Sequence, residues 1–161
     1  MPLTTVLPRA VALAAYAHSM QVDKAGAPYI FHPLRVMEAV RHLGLDHAIV
    51  AVLHDVIEDT DVKSYHLSAI DVPEALIDAV LMLTHQQRSR ETYEQYLKRC
   101  ATSTLTRAVK LADLRDNANV DRLLLIQDVP TRKRLYHKYR EAIALLESYD
   151  VANQAPDSTT R

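Results

Sequence analysis

Apolar residues recur at helical spacing along most of the chain, and no segment alternates convincingly between apolar and polar positions. Residues 8–20 read as a helix with Pro8 in its first turn. Residues 21–31, holding Gly26 and Pro28, read as a loop. Pro33 starts a second helix that runs to about Leu43 and is ended by Gly44. Asp46 is expected to cap a third, whose stripe is Ile49, Val52, Leu53, Val56 and Ile57, running out near Thr60. Residues 61–72 are polar, with room for one short helical turn. Pro73 begins a fourth helix through Leu83, and the run QQRSR at 86–90 is a surface break. Glu91 to Cys100 form a further helix, and Ser103 caps another that carries VKLADLRDN. Pro130 opens the last, with Leu135, Tyr139, Ala142, Ile143 and Leu146 on one side. The expected fold is all-α, a single-domain bundle of about six to eight helices over residues 1–152, followed by a frayed polar tail over 153–161.

Composition narrows the picture. The chain has 161 residues, 48% of them hydrophobic and 24% charged, which suits one soluble domain with one core. Nineteen Lys and Arg against twenty Asp and Glu give no electrostatic case for wrapping a nucleic-acid polymer. A local basic pocket for a small anion is still compatible with that balance. Cys100 is the only cysteine, so no intrachain disulfide forms, in keeping with a cytoplasmic location. No stretch is apolar enough for a membrane span, and the Ala-rich start lacks the order of a signal peptide. With only two glycines, phosphate loops built on glycine are not expected.

The chemistry concentrates in Leu53-His54-Asp55-Val56-Ile57-Glu58-Asp59-Thr60. His54 and Glu58 are four apart, as are Asp55 and Asp59, so on a helix each pair shares a face. Burying such a cluster is costly unless a cation neutralises it. Imidazole and carboxylate suit borderline divalent metals, and a single cysteine rules out a cysteine-rich zinc site. Taken alone, His54-Asp55 reads more readily as a capping pair, and His32, in PYIFHPL, as an ordinary half-buried histidine. Asp113 lies among Val109, Leu111, Ala112 and Leu114, where a carboxylate needs a partner. Lys110 or Arg115 supplies the plainest one. Asn117 follows four residues later on the same face.

The segments DKAGAPYIFHPLRV, VLHDVIEDT and VKLADLRDN, in this order and at this spacing, resemble the hydrolase domain of the Rel/Spo family. That family removes the 3′-pyrophosphate from the guanosine alarmones ppGpp and pppGpp. The likeness runs from about Ala14 to Leu125, and the chain looks like a short stand-alone member, a small alarmone hydrolase, with no room for a synthetase domain. The resemblance implies an HD-domain fold and a divalent metal, usually manganese, held by His32, His54, Asp55 and Asp113. It implies that Glu58 and Asp59 are the acidic pair needed for hydrolysis, that Asn117 lies near the sugar and pyrophosphate, and that Lys24 lines the nucleotide pocket. Tyr29, beside His32, is a further pocket candidate, and Arg115 and Arg35 are weaker candidates for phosphate charge.

The implied reaction is attack on a 3′-phosphorus by water activated at the metal, with Glu58 or Asp59 orienting it or taking its proton. Two departures bear on the base. Asp23-Lys24 stands where long members have Arg-Lys, whose arginine can stack on a purine, and Val120 replaces a threonine. An adenine analogue or an NADPH-like nucleotide therefore stays open as substrate, as does a non-catalytic sensor. Glu58, Asp59 and Asn117 together argue against the sensor. His18 reads either as a support for the site or as a core histidine. Tyr93, Tyr96, Tyr136 and Tyr139 read as core or interface residues. A homodimer would suit a small helical enzyme.

Overall fold

The computed structural model describes residues 2–85 and 90–149; QQRS at 86–89 and the tail from 153 lie outside them. The elements are α1 (Leu3–Ala17), α2 (Phe31–Val40), a 3-10 turn (Arg41–Leu43), α3 (Leu45–Leu53), α4 (Val56–Asp59), α5 (Ser64–Ala69), α6 (Glu74–Leu83), α7 (Tyr93–Cys100), α8 (Thr104–Asn117), α9 (Val120–Leu124) and α10 (Val129–Ser148). Seven of these helices have eight residues or more among the described residues, within the expected number; α4, α5 and α9 are short additions. No β-sheet forms among the described residues. Val22 and Pro28 make one isolated antiparallel bridge in the loop before α2.

α3 is the centre. Ala48 to Leu53 are all buried, so it is apolar on every side rather than along one stripe. α1, α2, α6 and α8 pack around it. α1 docks through Val6, Ala10 and Ala14, four residues apart, with the small alanines allowing close approach. That stripe begins before Pro8, which explains why α1 starts at Leu3: burial of Val6 offsets the one backbone bond that an interior Pro8 forfeits. α10 closes the other side, with Ala142, Ile143 and Leu146 buried and α8 and α7 as neighbours.

Two further boundaries differ from the pattern. α3 begins at Leu45, with Gly44 as its N-cap at φ +132°, and a Cβ there would come 2.7 Å from Asp46 Oδ1. The Asp46 carboxylate sits inside the first turn and accepts the His47 amide at 2.9 Å. More important, the expected third helix breaks at His54-Asp55. The His54 ring Nδ1–H donates to the Ala51 carbonyl at 2.6 Å, and the His54 amide turns to the same oxygen at 3.5 Å. Asp55, at φ −101° and ψ −9°, is displaced from ideal helical values towards the bridge region, and α4 begins after it at Val56.

Candidate active site

Two helices and the break after a third bring the ligand candidates together. His32 is the second residue of α2, His54 and Asp55 form the break after α3, and Asp113 lies on α8, which packs against both α2 and α3. His32 Nε2 lies 3.1 Å from Asp113 Oδ1 and 3.6 Å from Asp55 Oδ2. His54 Nε2 lies 3.0 Å from Asp55 Oδ2 and 3.8 Å from Asp113 Oδ1. Nitrogen and oxygen ligands bound at about 2.0–2.2 Å to one ion stand roughly 3–3.5 Å apart; two of these separations fall within that spacing and the other two lie within about 0.3 Å of it. Both imidazoles are held with Nε2 inward, because each Nδ1–H is occupied outward: His54 by the Ala51 carbonyl, His32 by Asp116 Oδ2 at 2.6 Å. His54 Nε2 is buried without a hydrogen-bond partner, since its contact with Asp55 is not aligned for one. An orphaned imidazole nitrogen, aimed among carboxylates, fits a divalent cation. His32, His54 and Asp113 form a cluster able to hold one.

The electrostatics point the same way. Burial opposes charge on every group, yet Asp55 and Asp113 push His54 well above the usual imidazole range. In return His54 holds the Asp55 carboxyl down to about 2 against the effect of burial. Lys110 and the two histidines hold Asp113 well below the ordinary carboxylate range. Lys110 Nζ binds Asp113 Oδ2 at 2.7 Å, so the plain salt bridge exists, while Oδ1 is the oxygen nearest the two histidines. Asn117 Nδ2 also donates to Asp113, at 2.6 Å to Oδ1.

Glu58 and Asp59 project from α4 beside this cluster. Glu58 Oε2 accepts the His85 amide at 2.7 Å, which fixes its orientation. Burial, reinforced by Asp55, raises its carboxyl above the usual range, with the His85 amide acting against that. Asp59 is raised for the same two reasons. The Tyr29 hydroxyl donates to Asp55 Oδ2 at 2.7 Å and also lies 3.2 Å from Asp59 Oδ2, tying the ligand to the acid. His18 stands behind: its Nδ1–H donates to Gln21 Oε1 at 2.6 Å, and Gln21 Nε2 donates to the Asp59 carbonyl at 2.6 Å. It supports the acidic turn as well as filling the core.

The cluster opens into a cavity of about 460 Å³, a size that takes a small organic ligand. Of the residues singled out in the sequence, Lys24, Tyr29, His32, Asp55, Glu58, Asp59, Asp113 and Asn117 line it. Tyr139 lines it too, so helical spacing understated that residue. Arg115 is not brought there. Two positions from Asp113 on α8, it faces the opposite way and binds Glu147 at 2.9 Å. Arg35 also turns aside, donating from Nε to Asp116 Oδ1 at 2.7 Å. Arg122 of α9 instead enters the lining, together with Lys110. Sequence reasoning missed Arg122 and Asp116. The three-residue step from Asp113 to Asp116 was a readable signal for a shared face. Arg122 left none, being on a separate short helix.

No protein-family model matches the chain. Among curated proteins, it is 34% identical over 115 residues to a probable guanosine-3′,5′-bis(diphosphate) 3′-pyrophosphohydrolase of Synechocystis, covering 65% of this chain and 15% of that protein. It is 32% identical over 116 residues to the guanosine-3′,5′-bis(diphosphate) 3′-pyrophosphohydrolase of Aquifex aeolicus, covering 68% and 17%. A GTP pyrophosphokinase of Streptomyces coelicolor is 30% identical over 145 residues, covering 85% and 16%. The chain thus spans about one-sixth of the length of these relatives. Among solved structures, a metazoan ortholog of SpoT that hydrolyses ppGpp superposes with a TM-score of 0.72 at 21% identity, covering 90% of this chain and 87% of that one. The fold is therefore that of the SpoT-like helical hydrolase. With the three motifs in order, their side chains converging and these sequence relatives, the chain belongs to the Rel/Spo family of HD hydrolases.

Proposed function

We propose that the chain is a metal-dependent phosphohydrolase that removes the 3′-pyrophosphate from guanosine alarmones, ppGpp and pppGpp, with manganese as its metal. One observation carries the reading. The inward nitrogens of His32 and His54 meet the oxygens of Asp55 and Asp113 at the end of a cavity that also holds two carboxylic residues with raised affinity for a proton, Glu58 and Asp59. The names of the Synechocystis and Aquifex relatives support the substrate.

His32, His54, Asp55 and Asp113 would hold the ion, which when bound lowers the pKa of a water and polarises a phosphate oxygen. Glu58 or Asp59 takes the proton of the attacking water. Burial suits either to that task, because it brings the carboxylate closer to a working base. Tyr29 donates to Asp55 and Asp59 and keeps both in place. Lys24 lines the cavity, where burial lowers its ammonium below the usual range and Lys138 and Arg134 add to that as like charges. A phosphate beside it would relieve both effects. Asn117 gives the ligand a neutral donor. No helix among the described residues is long and apolar enough to cross a membrane, and we place the reaction in the cytoplasm, in keeping with the free thiol of Cys100.

The test is turnover of ppGpp, pppGpp and their adenine counterpart by protein stripped with a strong chelator, with and without added Mn²⁺. The expected result is release of pyrophosphate and GDP from ppGpp only when the metal is restored. Full activity in demonstrably metal-free protein, or none on any of the nucleotides with manganese present, would overturn the reading.

A further inference from the structure

Arg122 is the cavity's unexplained cation. Its Nη1 donates to the Asp116 carbonyl at 3.0 Å and to the Asp116 carboxylate, and its Nη2 donates to Asp23 Oδ2 at 3.2 Å. Both carboxylates are themselves anchored. Asp23 Oδ1 accepts the amides of Ala25 at 2.9 Å and Ala27 at 3.0 Å, in a turn that Gly26 completes at φ +84°. Asp116 is bound by His32 and Arg35. The guanidinium is therefore clamped at its edge from two sides, and its charge is already balanced by Asp23 and Asp116.

A phosphate-binding arginine offers paired in-plane N–H groups and an unbalanced charge; here three of the five N–H groups are taken by Asp116 and Asp23 and the charge is balanced by two carboxylates. Besides the Nε–H and one Nη2–H, what this clamped guanidinium keeps for a ligand is its flat face. Val22, Leu123, Ile126 and Leu135 also line the cavity, so it offers apolar surface as well as charged groups. We propose that Arg122 is a specificity residue that stacks on the base of the bound nucleotide, with Asp23 and Asp116 as the positioning residues that hold it face-on. This rests on the reading of the cavity as a nucleotide site. It also changes the meaning of Asp23: the carboxylate does not meet the ligand as an unpaired charge, but sets the plane of the arginine.

The experiment is calorimetric titration of manganese-loaded protein, with turnover suppressed by Glu58→Gln, using ppGpp and a base-free ribose phosphate. Loss of one stacking contact predicts that Arg122→Leu weakens ppGpp binding about 2- to 30-fold and leaves the base-free compound unchanged. Arg122→Lys should lose as much as Arg122→Leu, because the plane matters and not the charge. Asp23→Asn, which keeps the turn but weakens the clamp, should show a smaller loss confined to ppGpp, and it decides the matter if the Arg122 variants do not fold. Equal losses for both ligands would make Arg122 a phosphate contact, full retention by Arg122→Lys would make it a simple charge, and unchanged binding in all three variants would make it structural; each overturns the proposal. Binding of ppGpp without hydrolysis by the wild-type chain would remove the functional reading alone. Failure of the wild-type chain to bind ppGpp would remove both.

Discussion

Glu58 and Asp59 are adjacent in sequence but are held by different partners, the His85 amide and the Tyr29 hydroxyl. Neither is among the atoms that cluster around His32 and His54, so neutralising either should spare the metal. Glu58→Gln and Asp59→Asn are expected to lower kcat by about 10²- to 10⁴-fold for whichever residue is the base, with manganese affinity within a few-fold of wild type. Steady-state kinetics beside a manganese titration checks this, and normal rates in both variants would remove the assignment. Asp23 gives a second prediction at this scale. Burial works to raise its carboxyl, but the Ala27 and Ala25 amides and Arg122 outweigh it and hold the group below its ordinary range. A carboxyl lowered in the folded state adds stability above its unfolded pKa of about 4 and loses that share as pH falls through the folded value. The stability gap between wild type and Asp23→Asn should therefore narrow as melting is measured from pH 6 towards pH 3. A gap independent of pH would mean that Asp23 carries no linked proton.

Among the elements, the break after α3 matters most for the site. A continuous helix would place His54 and Asp55 about 100° apart in direction and carry Asp59 onto the Asp55 face. The break lets both His54 Nε2 and Asp55 Oδ2 reach one point, 3.0 Å apart, while α4 swings Glu58 and Asp59 to the cavity. α10 performs a different task. Its first half supplies Leu135 and Tyr139 to the cavity, and its second half docks through Leu146, which is fully buried and whose carbonyl accepts Arg107 Nε at 2.9 Å. Leu146→Ala should cost about 2–5 kcal/mol of stability, from lost burial and the cavity left behind, measured by urea unfolding. A cost under about 1 kcal/mol would show that α10 is not anchored there.

At the scale of the whole molecule, Cys100 reports on cooperativity. Its side chain is buried at the end of α7, and burial pushes the thiol up to about 11. Only the thiolate reacts, so alkylation at pH 8 should be slow in the folded protein and rise in step with global unfolding as denaturant is added. Labelling that runs ahead of the loss of helical signal would show that α7 opens on its own.

The helices were legible in the sequence because helical spacing rests on local information, whereas the candidate metal ligands and the acidic pair were named from three motifs and their resemblance to a family. Helical spacing is a property of a few consecutive turns, and the residues of VLHDVIEDT and VKLADLRDN carry their chemistry wherever they are placed. Boundaries that depend on a distant surface were not legible. The start of α1 depends on what Val6 packs against; the break at His54 is a local contest, in which the ring nitrogen takes the Ala51 carbonyl, but helical spacing does not register it. The roles of Asp116, Arg122 and Asp23 depended on tertiary structure most of all. Asp23 and Arg122 are ninety-nine positions apart, and Asp116 lies eighty-four from His32. Only the packing of α2 against α8, with α9 folded over the loop before α2, turns these scattered charges into partners. A charge read in isolation from sequence has a sign, but whether it is spent on a neighbour or offered to a ligand is decided by what the fold places within 3 Å of it.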